Sequence, residues 1–345
     1  MAHDIATRKA TSLAFHYSMC LIVKAAACCL FAKEFLELLM SNYLFNAFEE
    51  KCSNVLAAHG INAATNTFGF SDEARATAVT GNWDRCAIEM RDMTASILAP
   101  QLAPWHAFVD APYVRKLTLK DGTPLSLAII NEQSRDWYGG DSFFASCDFL
   151  VEKDRGCFSR AFRFADLGGH QLVWAIYYAK TSKLSSVISY EPSVLNCLIG
   201  LFNCLVNDVV DRIEVVPFAV SVNDSTSEGA EGDKMLVDFM TLPIKTVTLG
   251  ETMRDRMDFV KVDIEGYEYE LLADKSFVQL LKSVPYAHLE MHLGHLIKRG
   301  VSREACVEAM RAAGLEGVEL YSGDEMYKFL EGCDRNSYPA FILKN

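Results

Sequence analysis

The segment Phe259–Glu268 constrains this chain more than any other, reading Phe-Val-Lys-Val-Asp-Ile-Glu-Gly-Tyr-Glu. Its apolar start is typical of a buried strand, which delivers Asp263 and Glu265 at its carboxyl end before a turn at Gly266. In an open α/β sheet, ligands bind outside the carboxyl ends of the strands. The segment therefore predicts a ligand site that contains these two carboxylates.

Two earlier segments end in the same manner. Phe164–Gly169 carries Asp166 before a Gly-Gly turn, and Ile188–Pro192 carries Glu191 before a proline that stops the strand. A carboxylate such as Glu191 can accept hydrogen bonds from both ribose hydroxyls of a nucleoside, since both of those partners are donors. Three acidic strand ends are therefore expected to converge on one crevice that suits a nucleoside cofactor.

Composition narrows the class of protein. The chain has 345 residues, of which 50% are hydrophobic, and 33 basic against 45 acidic residues give a net charge of −12. Nucleic acid is therefore not expected as a partner, because binding it depends on neutralising phosphates. The 11 cysteines form no Cys-x-x-Cys pair and sit mostly in apolar stretches. Reduced core thiols and a cytoplasmic location are the expectation.

Residues 1–99 are predicted to form a helical N-terminal domain, because no proline occurs before Pro100. The apolar stretch Ala10–Ala32 is interpreted as a buried amphipathic helix, with a membrane-surface helix or targeting segment as the alternative. A further helix is expected over Asp72–Ile97, split near Gly81. The domain could act as a lid or as a homodimer interface, and the sequence does not select between them.

Residues 100–160 are expected to lead into the core through a β-hairpin. Val114–Leu119 and Leu125–Ile130 alternate apolar and polar residues on either side of an Asp-Gly turn. Asp141–Leu150 is predicted to be a short helix. Trp137–Gly140 is expected either to pack or to supply an aromatic wall for an acceptor.

Residues 161–345 alternate strands with helices, which predicts a doubly wound sheet closed by an antiparallel strand. The predicted strands are Phe162–Ala165, Ser186–Tyr190, Ile213–Ala219, Phe259–Val262, Ala287–Met291, Gly317–Leu320 and Ala340–Leu343. The predicted helices are His170–Thr181, Val194–Val206, Tyr267–Leu272 and Arg303–Ala313, and Asp224–Asp233 is predicted to be a surface loop.

The ordered motifs of this region resemble those of the FkbM family of S-adenosylmethionine-dependent methyltransferases. The matching segments are Phe164–Gly169, Tyr190–Ser193 with Asn203 and Asn207 behind it, Ala219–Ser221, Val260–Glu268 and Leu289–His292. The resemblance covers roughly residues 116–292, and the K-x-D-x-E-G-x-E element is its most specific part. At the first turn the family usually has Asp-x-Gly-Ala-Asn-x-Gly, whereas this chain has His170 for the Asn and Leu172 for the last Gly.

The resemblance implies a class I methyltransferase fold, with a Rossmann-like doubly wound sheet and an N-terminal all-helical region. It implies that S-adenosyl-L-methionine is the cofactor and that the acceptor is a hydroxyl on a small or glycan-like molecule. It also implies roles for individual residues. Asp166, Gly168, Gly169 and the adjoining His170 would cradle the methionine part, Glu191 with Pro192 and Ser193 would take the ribose, Ala219 and Val220 would flank the adenine, and Asp263 and Glu265 would face the sulfonium and the acceptor.

The run His288–His292 places His288, Glu290 and His292 on one face of a strand. With Asp263 nearby these groups could ligate a metal. The alternative is that Glu290 or His292 is the general base for the acceptor hydroxyl, since the ordinary pKa of histidine is near 6.5. By the same period, Lys261 faces the side of Asp263, either to compensate charge or to keep that carboxylate ionised.

These observations predict an S-adenosylmethionine-dependent methyltransferase that works by direct displacement. Asp263, Glu265, Glu290 and His292 are the candidates for removing the acceptor proton. A non-catalytic binding or scaffold protein on a degenerate methyltransferase core is the alternative, motivated by the altered glycine turn. An NAD-linked oxidoreductase is a third interpretation, which the missing G-x-G-x-x-G fingerprint disfavours.

Overall fold

The computed structural model describes residues 42–62, 68–98, 107–119, 122–139, 163–181, 186–222, 246–248, 257–314 and 340–344. The predictions for Ala10–Ala32, Asp141–Leu150, Asp224–Asp233 and Gly317–Leu320 lie outside these ranges. Ala47–Asn345 groups as one unit, separate from Met1–Asn46. In the part of the chain that is described, no helix is apolar enough over a sufficient length to cross a bilayer.

Residues 42–58 are helical, and nine further helices and ten strands follow along the described residues. The helices are α1 (Asp72–Val79), α2 (Asp84–Leu98), α3 (Glu132–Tyr138), α4 (Val173–Thr181), α5 (Val194–Val206), α6 (Glu268–Ala273), α7 (Lys275–Ser283), α8 (Leu293–Lys298) and α9 (Arg303–Ala313). The strands are β1 (Phe108–Thr118), β2 (Pro124–Asn131), β3 (Arg163–Leu167), β4 (Ser186–Tyr190), β5 (Ile213–Val216), β6 (Ala219–Ser221), β7 (Thr246–Thr248), β8 (Phe259–Val262), β9 (Tyr286–Glu290) and β10 (Ala340–Lys344).

Six strands form the central sheet in the order β10-β9-β8-β3-β4-β5. Strands β9, β8, β3, β4 and β5 are parallel, and β10 pairs antiparallel with β9. The predicted doubly wound sheet with an antiparallel member is therefore confirmed. Asp166 on the central strand β3 pairs with Ser189 of β4 on one side and with Lys261 of β8 on the other. This register brings the ends of β3, β4 and β8 to one edge, here called the rim.

The helix α5 is buried along its whole length. Two asparagines of α5 contact the hairpin strand β2. The Asn203 side chain accepts from the backbone N–H of Ala128 at 2.8 Å, and that of Asn207 accepts from the backbone N–H of Ser126 at 2.9 Å. Asn207 also donates to the carbonyl oxygen of Ser126 at 2.5 Å. These amides satisfy backbone groups of β2 that would otherwise be buried without partners.

The hairpin and the N-terminal helices largely follow the sequence prediction. Strands β1 and β2 are antiparallel and flank Gly122, whose φ of +87° is in the left-handed region that glycine tolerates. The helix expected over Asp72–Ile97 is two helices, α1 and α2, separated around Gly81 at φ +81°. The helices α3, α7 and α8 were not predicted.

The strand predicted over Ile213–Ala219 is wrong in its second half. β5 ends at Val216, and β6 begins at Ala219 in a separate two-stranded sheet with β7. Pro217 stands at the break, and proline has no N–H to donate to a ladder. Ala219 and Val220 therefore do not end the fifth strand of the central sheet.

Candidate functional site

Asp166, Glu191 and Asp263 all lie at the rim. Asp166 is near the end of β3, Glu191 directly follows β4, and Asp263 directly follows β8. Because β3 is parallel to both neighbours, the three ends meet at the same edge of the sheet. The predicted convergence of three acidic strand ends is thus present in the structure.

The turn after β3 is packed closely against the neighbouring strand ends. Gly168 has φ +85°, and a Cβ there would lie 1.6 Å from the backbone oxygen of Asp263. A Cβ on Gly169 would lie 2.0 Å from Oγ of Ser189. Both backbone N–H groups donate to the carbonyl oxygen of Tyr190 at 3.0 Å. Only glycine fits at position 168, where backbone blocks a side chain, and a side chain at position 169 would require Ser189 to move.

His170 and Leu172 continue this turn in the left-handed region, at φ +49° and +61°. Such a conformation is costly for a leucine. The Leu172 side chain is fully buried and lies against Gly200 of α5, where a Cβ would come within 2.5 Å of Leu172 Cγ. The departure from the family pattern at this position is therefore matched by a glycine on the facing helix.

Glu191 is held by backbone donors at the start of α5. Its carboxylate accepts from the N–H of His170 and from the N–H of Ser193, each at 2.8 Å. Burial raises its pKa to about 7, against the opposing effect of these hydrogen bonds. The Asn196 side chain also hydrogen-bonds to this carboxylate. A carboxylate has about four acceptor positions, so capacity is left for a further donor such as a ribose hydroxyl.

The surroundings of Glu191 fit a nucleoside. Asn196 is buried one turn into α5, and within the described residues its Oδ1 has no hydrogen-bond partner. A bound donor group would satisfy that oxygen. Ser193 caps α5 by accepting from the N–H of Asn196 at 3.3 Å, and Pro192 is partly buried between Glu191 and this cap. Ala219 and Val220 are buried on β6.

Lys261 connects Asp263 at the end of β8 to Asp166 and Gly168 at the end of β3. The ammonium group is only 2% exposed and lies 3.0 Å from Asp263 Oδ2, 3.3 Å from Asp166 Oδ1 and 3.0 Å from the carbonyl oxygen of Gly168. Burial opposes its charge, but Asp263 and Asp166 raise the pKa of Lys261 above its ordinary value. Burial likewise opposes ionisation of Asp263, and Lys261 outweighs this and lowers the pKa of that carboxyl.

His292 lies at the centre of an acidic cluster. Its Nδ1 is 2.8 Å from Glu268 Oε1, and its Nε2 faces oxygens of Glu265 at 3.4 Å, Asp263 at 3.5 Å and Glu290 at 3.8 Å. The imidazole is 3% exposed. All four catalytic candidates from the sequence are therefore together, with Glu268 as a fifth member.

Charges in this cluster set its protonation. Burial alone lowers the pKa of His292, but the hydrogen bond and charge of Glu268, with Glu265 and Asp263, raise it to about 10. Burial and the charge of Asp263 raise the pKa of Glu290 to about 7. Without a ligand the imidazole is therefore charged at neutral pH, which favours a carboxylate over His292 as a proton acceptor.

The cluster also contains groups that could hold a metal ion. One ligand atom each from Asp263, Glu265 and His292 lies within 4.8 Å of the others. Of the predicted ligand set, His292 and Asp263 belong to this group, whereas Glu290 and His288 do not. His288 is 5% exposed and packs against the Trp174 ring at 5.1 Å. Burial lowers the pKa of His288 to about 4.

The contact between Glu268 and His292 had no predicted role, whereas Trp137 and Tyr138 lie in the segment predicted either to pack or to supply an aromatic wall for an acceptor. Glu268 lies within the K-x-D-x-E-G-x-E element, yet nothing in the sequence shows that its fully buried carboxylate reaches His292. Trp137 stacks on the His170 ring at 5.3 Å with an angle of 19°, and the Tyr138 hydroxyl lies 2.5 Å from His170 Nδ1. Trp137 is 47% exposed, so the turn after β3 carries an aromatic surface that is open to solvent.

Comparison with protein families gives one match. A model described as the methyltransferase FkbM domain matches residues 161–335, just over half of the chain. These residues include the central sheet from β3 through β9 and every candidate described above at the rim. None of the curated proteins matches the chain.

Solved structures show only distant likeness. An O-methyltransferase from Bacillus cereus in complex with SAH is 14% identical, with 58% of this chain and 79% of that chain covered at a TM-score of 0.34. The fibrillarin pre-rRNA processing protein of Methanococcus jannaschii is 11% identical, with coverages of 67% and 82% and a TM-score of 0.35. A precorrin-6y C5,15-methyltransferase from Geobacter metallireducens is 10% identical, with coverages of 57% and 86% and a TM-score of 0.32.

Proposed function

The chain belongs to the FkbM methyltransferase family, with S-adenosylmethionine as its cofactor, and on that premise we propose that it methylates a hydroxyl oxygen of a small-molecule or glycan-like acceptor. The observation that carries this proposal is the arrangement of the rim. The Glu191 carboxylate lies on one side of the glycine turn, and the carboxylates around His292 lie on the other.

On the donor side, Glu191 is the proposed ligand of the two ribose hydroxyls, with Asn196 beside it as a further acceptor. The turn through Gly168 and Gly169, with Asp166 at the end of β3, would hold the methionine part. His170, Pro192 and Ser193 shape this pocket by fixing the Glu191 carboxylate and the start of α5. Ala219 and Val220 stay proposed neighbours of the adenine.

On the acceptor side, the protein must align an oxygen with the methyl group and remove the hydroxyl proton. The bound donor supplies an electrophilic methyl group on a sulfonium sulfur. Asp263, Glu265, Glu290 and His292 surround the proposed reaction position, and the carboxylates supply the proton acceptor. Lys261 fixes one oxygen of Asp263, which leaves the other directed at His292.

Transfer of a labelled methyl group from S-adenosylmethionine to a panel of hydroxylated sugars and polyketide-like compounds tests this proposal. We expect incorporation as a methyl ether with wild-type protein, and a loss of at least a hundredfold with Asp263→Asn. The control is Glu214→Gln, which changes an exposed acid on β5.

Two results would contradict the proposal. Undiminished transfer by Asp263→Asn would remove this strand end from the chemistry. Binding of S-adenosylhomocysteine without transfer to any hydroxyl or amine would instead favour the scaffold alternative, in which the fold binds the nucleotide but performs no reaction.

A further inference from the structure

The acidic cluster around His292 holds more negative charge than its cations balance. Four carboxylates contact this one imidazole, and the ammonium of Lys261 is shared between Asp263 and Asp166. Glu268 is wholly buried, and its Oε2 has no hydrogen-bond partner in the described part of the chain. Buried charge is costly unless it is paired. The cluster is therefore suited to a further cation.

The spacing of the ligand atoms indicates what kind of cation fits. His292 Nε2 lies 3.4 Å from Glu265 Oε2 and 3.5 Å from Asp263 Oδ1. Two atoms that each lie about 2.1 Å from a tetrahedrally coordinated ion are about 3.4 Å apart. These separations are longer than ordinary N–H···O hydrogen bonds but match neighbouring ligands of one metal ion.

Both anchoring residues have their other atoms fixed. Lys261 lies 3.0 Å from Asp263 Oδ2, so Oδ1 is the oxygen of Asp263 that can bind a metal ion. Glu268 occupies His292 Nδ1 at 2.8 Å, so the imidazole presents Nε2. A carboxylate on the far nitrogen is the usual support of a metal-bound histidine, because it fixes the tautomer and the ring orientation.

We propose that Asp263, Glu265 and His292 form a binding site for a divalent transition-metal ion at the acceptor side of the rim. The mixed set of one imidazole nitrogen and two carboxylate oxygens suits Mn²⁺, Fe²⁺ or Zn²⁺ better than Ca²⁺. The ion takes the place of the proton on Nε2, and Glu290, 3.8 Å from the same nitrogen, lies beside the site as a further oxygen donor.

The consequence for catalysis rests on the proposed function. An ion held by Asp263, Glu265 and His292 would supply Lewis-acid chemistry, which would make the proton of a neighbouring acceptor hydroxyl easier to remove. The hydroxyl proton passes to a carboxylate, the oxygen–carbon bond forms as the sulfur–carbon bond breaks, and S-adenosylhomocysteine leaves. Metal binding itself does not depend on that reaction.

Binding of Mn²⁺ to tag-free, chelator-treated full-length protein tests the site directly, with the loss of the free-ion electron paramagnetic resonance signal as the readout. Mn²⁺ is the chosen probe because it prefers oxygen and nitrogen ligands to the thiols of the chain. We expect one equivalent to bind to wild type. Glu265→Gln should weaken binding at least tenfold, and its side chain is 45% exposed, so this variant should fold normally. Glu214→Gln should bind as wild type does.

Each outcome decides the inference separately from the proposed methyl transfer. No binding of Mn²⁺ at millimolar concentration, or equal binding by wild type, Glu265→Gln and Asp263→Asn, would overturn the metal site. If methyl transfer also proceeds at an unchanged rate in excess chelator, the proposed function stands without a metal. If Mn²⁺ binds as expected but no acceptor is methylated, the metal site stands and the proposed reaction is wrong.

Discussion

At the scale of single residues, the rim is held in place by contacts within the protein. Lys261 ties Asp263 to Asp166, and backbone N–H groups hold both oxygens of Glu191. Such preorganisation lowers the entropic cost of binding, since the side chains are already ordered. It also means that the protonation of each group is set largely by fixed neighbours.

The raised pKa of Glu191 predicts a pH dependence of cofactor binding. The ionised form accepts hydrogen bonds from ribose hydroxyls, so binding favours ionisation and lowers the pKa of this carboxyl. Affinity should therefore rise with pH up to the pKa of about 7 in the free protein and level off above it. Between pH 8 and pH 6 the Kd of S-adenosylhomocysteine should increase about tenfold, because about one tenth of the carboxyl stays ionised at pH 6.

Titration calorimetry at several pH values measures this effect. The matched variant is Glu191→Gln, which keeps the shape of the side chain but cannot ionise. It should bind more weakly at pH 8 and lose the dependence between pH 6 and pH 8. The same slope in wild type and variant would show that another group is responsible.

The contact between Leu172 and Gly200 predicts coupled stability. Leu172→Gly removes the strain of a leucine in the left-handed region, which should raise the free energy of unfolding by about 1 kcal/mol. It also removes a buried side chain, which should lower the free energy of unfolding by about 3 kcal/mol. Gly200→Ala should cost about 1–3 kcal/mol through overpacking. The double variant should be less destabilised than the sum, because the new methyl group enters the space that Leu172 leaves.

Urea unfolding of the two single variants and the double variant gives the coupling free energy. A value of about 1 kcal/mol or more in the favourable direction is expected. Strict additivity would mean that the two residues do not compete for one space in the folded protein.

Part of the site was predictable from the sequence at this scale, and part was not. The places of Asp166, Glu191 and Asp263 follow from the pattern of an apolar run that ends in an acid, because parallel strands share a rim. The buried contact of Glu268 with His292 depends on how α6 packs beside the end of β9. The pairing of Leu172 with Gly200 depends on how the turn before α4 packs against α5, which no local pattern encodes.

At the scale of elements, α5 supports both the cofactor side and the hairpin. Its first turn positions Ser193 and Asn196 near Glu191, and its last turns hold β2 through Asn203 and Asn207. The strand β2 therefore hydrogen-bonds to these two asparagines along one edge and pairs with β1 along the other. The hairpin is therefore fixed to α5 by amide side chains.

Removing one of these amides should weaken the fold. Asn203→Ala leaves the buried N–H of Ala128 without its acceptor, which should cost about 2 kcal/mol in free energy of unfolding. Chemical denaturation measures the loss. Asn207→Ala should behave similarly, since it removes the bonds to Ser126. Wild-type stability in both variants would contradict this account of the hairpin.

Element bounds were predictable where a cap and an apolar period agree. The bounds of β4, α5, β8 and α9 coincide with the prediction, and Ser193 and Ser302 cap the two helices by side-chain hydrogen bonds. The helices α3, α7 and α8 are short, with seven, nine and six residues, and of these α7 carries an apolar helical period, with Phe277 and Leu281 buried, and a cap at Asp274. Pro217 is the sequence signal for the break after β5, because proline has no N–H to donate to a neighbouring strand.

At the scale of the whole molecule, the strand order divides the rim into two halves. Central β3 separates β4, which is followed by the proposed cofactor ligand Glu191, from β8 and β9, at whose ends the acidic cluster lies. Donor and acceptor are thus expected to approach from opposite sides of one strand. Changes in acceptor preference can then arise at β8 and β9 without loss of the donor site.

Thermal melts test the donor half for the intact protein. A ligand present at a hundred times its Kd stabilises the folded state by about 2.7 kcal/mol. S-adenosylhomocysteine and S-adenosylmethionine should therefore raise the Tm by several degrees, whereas NAD should leave it unchanged. A rise with NAD alone would contradict the assignment of the cofactor.

The ion pairs of Lys261 have a consequence for biosynthesis. Asp166 emerges from the ribosome well before the lysine that compensates its charge, because β8 follows β5 in the chain. A nascent chain that has made only β3, β4 and β5 would bury a lone carboxylate, at a cost that opposes its closure. Premature termination or a frameshift ahead of β8 should accordingly yield a product that proteases clear, and never a fragment that sequesters the nucleotide.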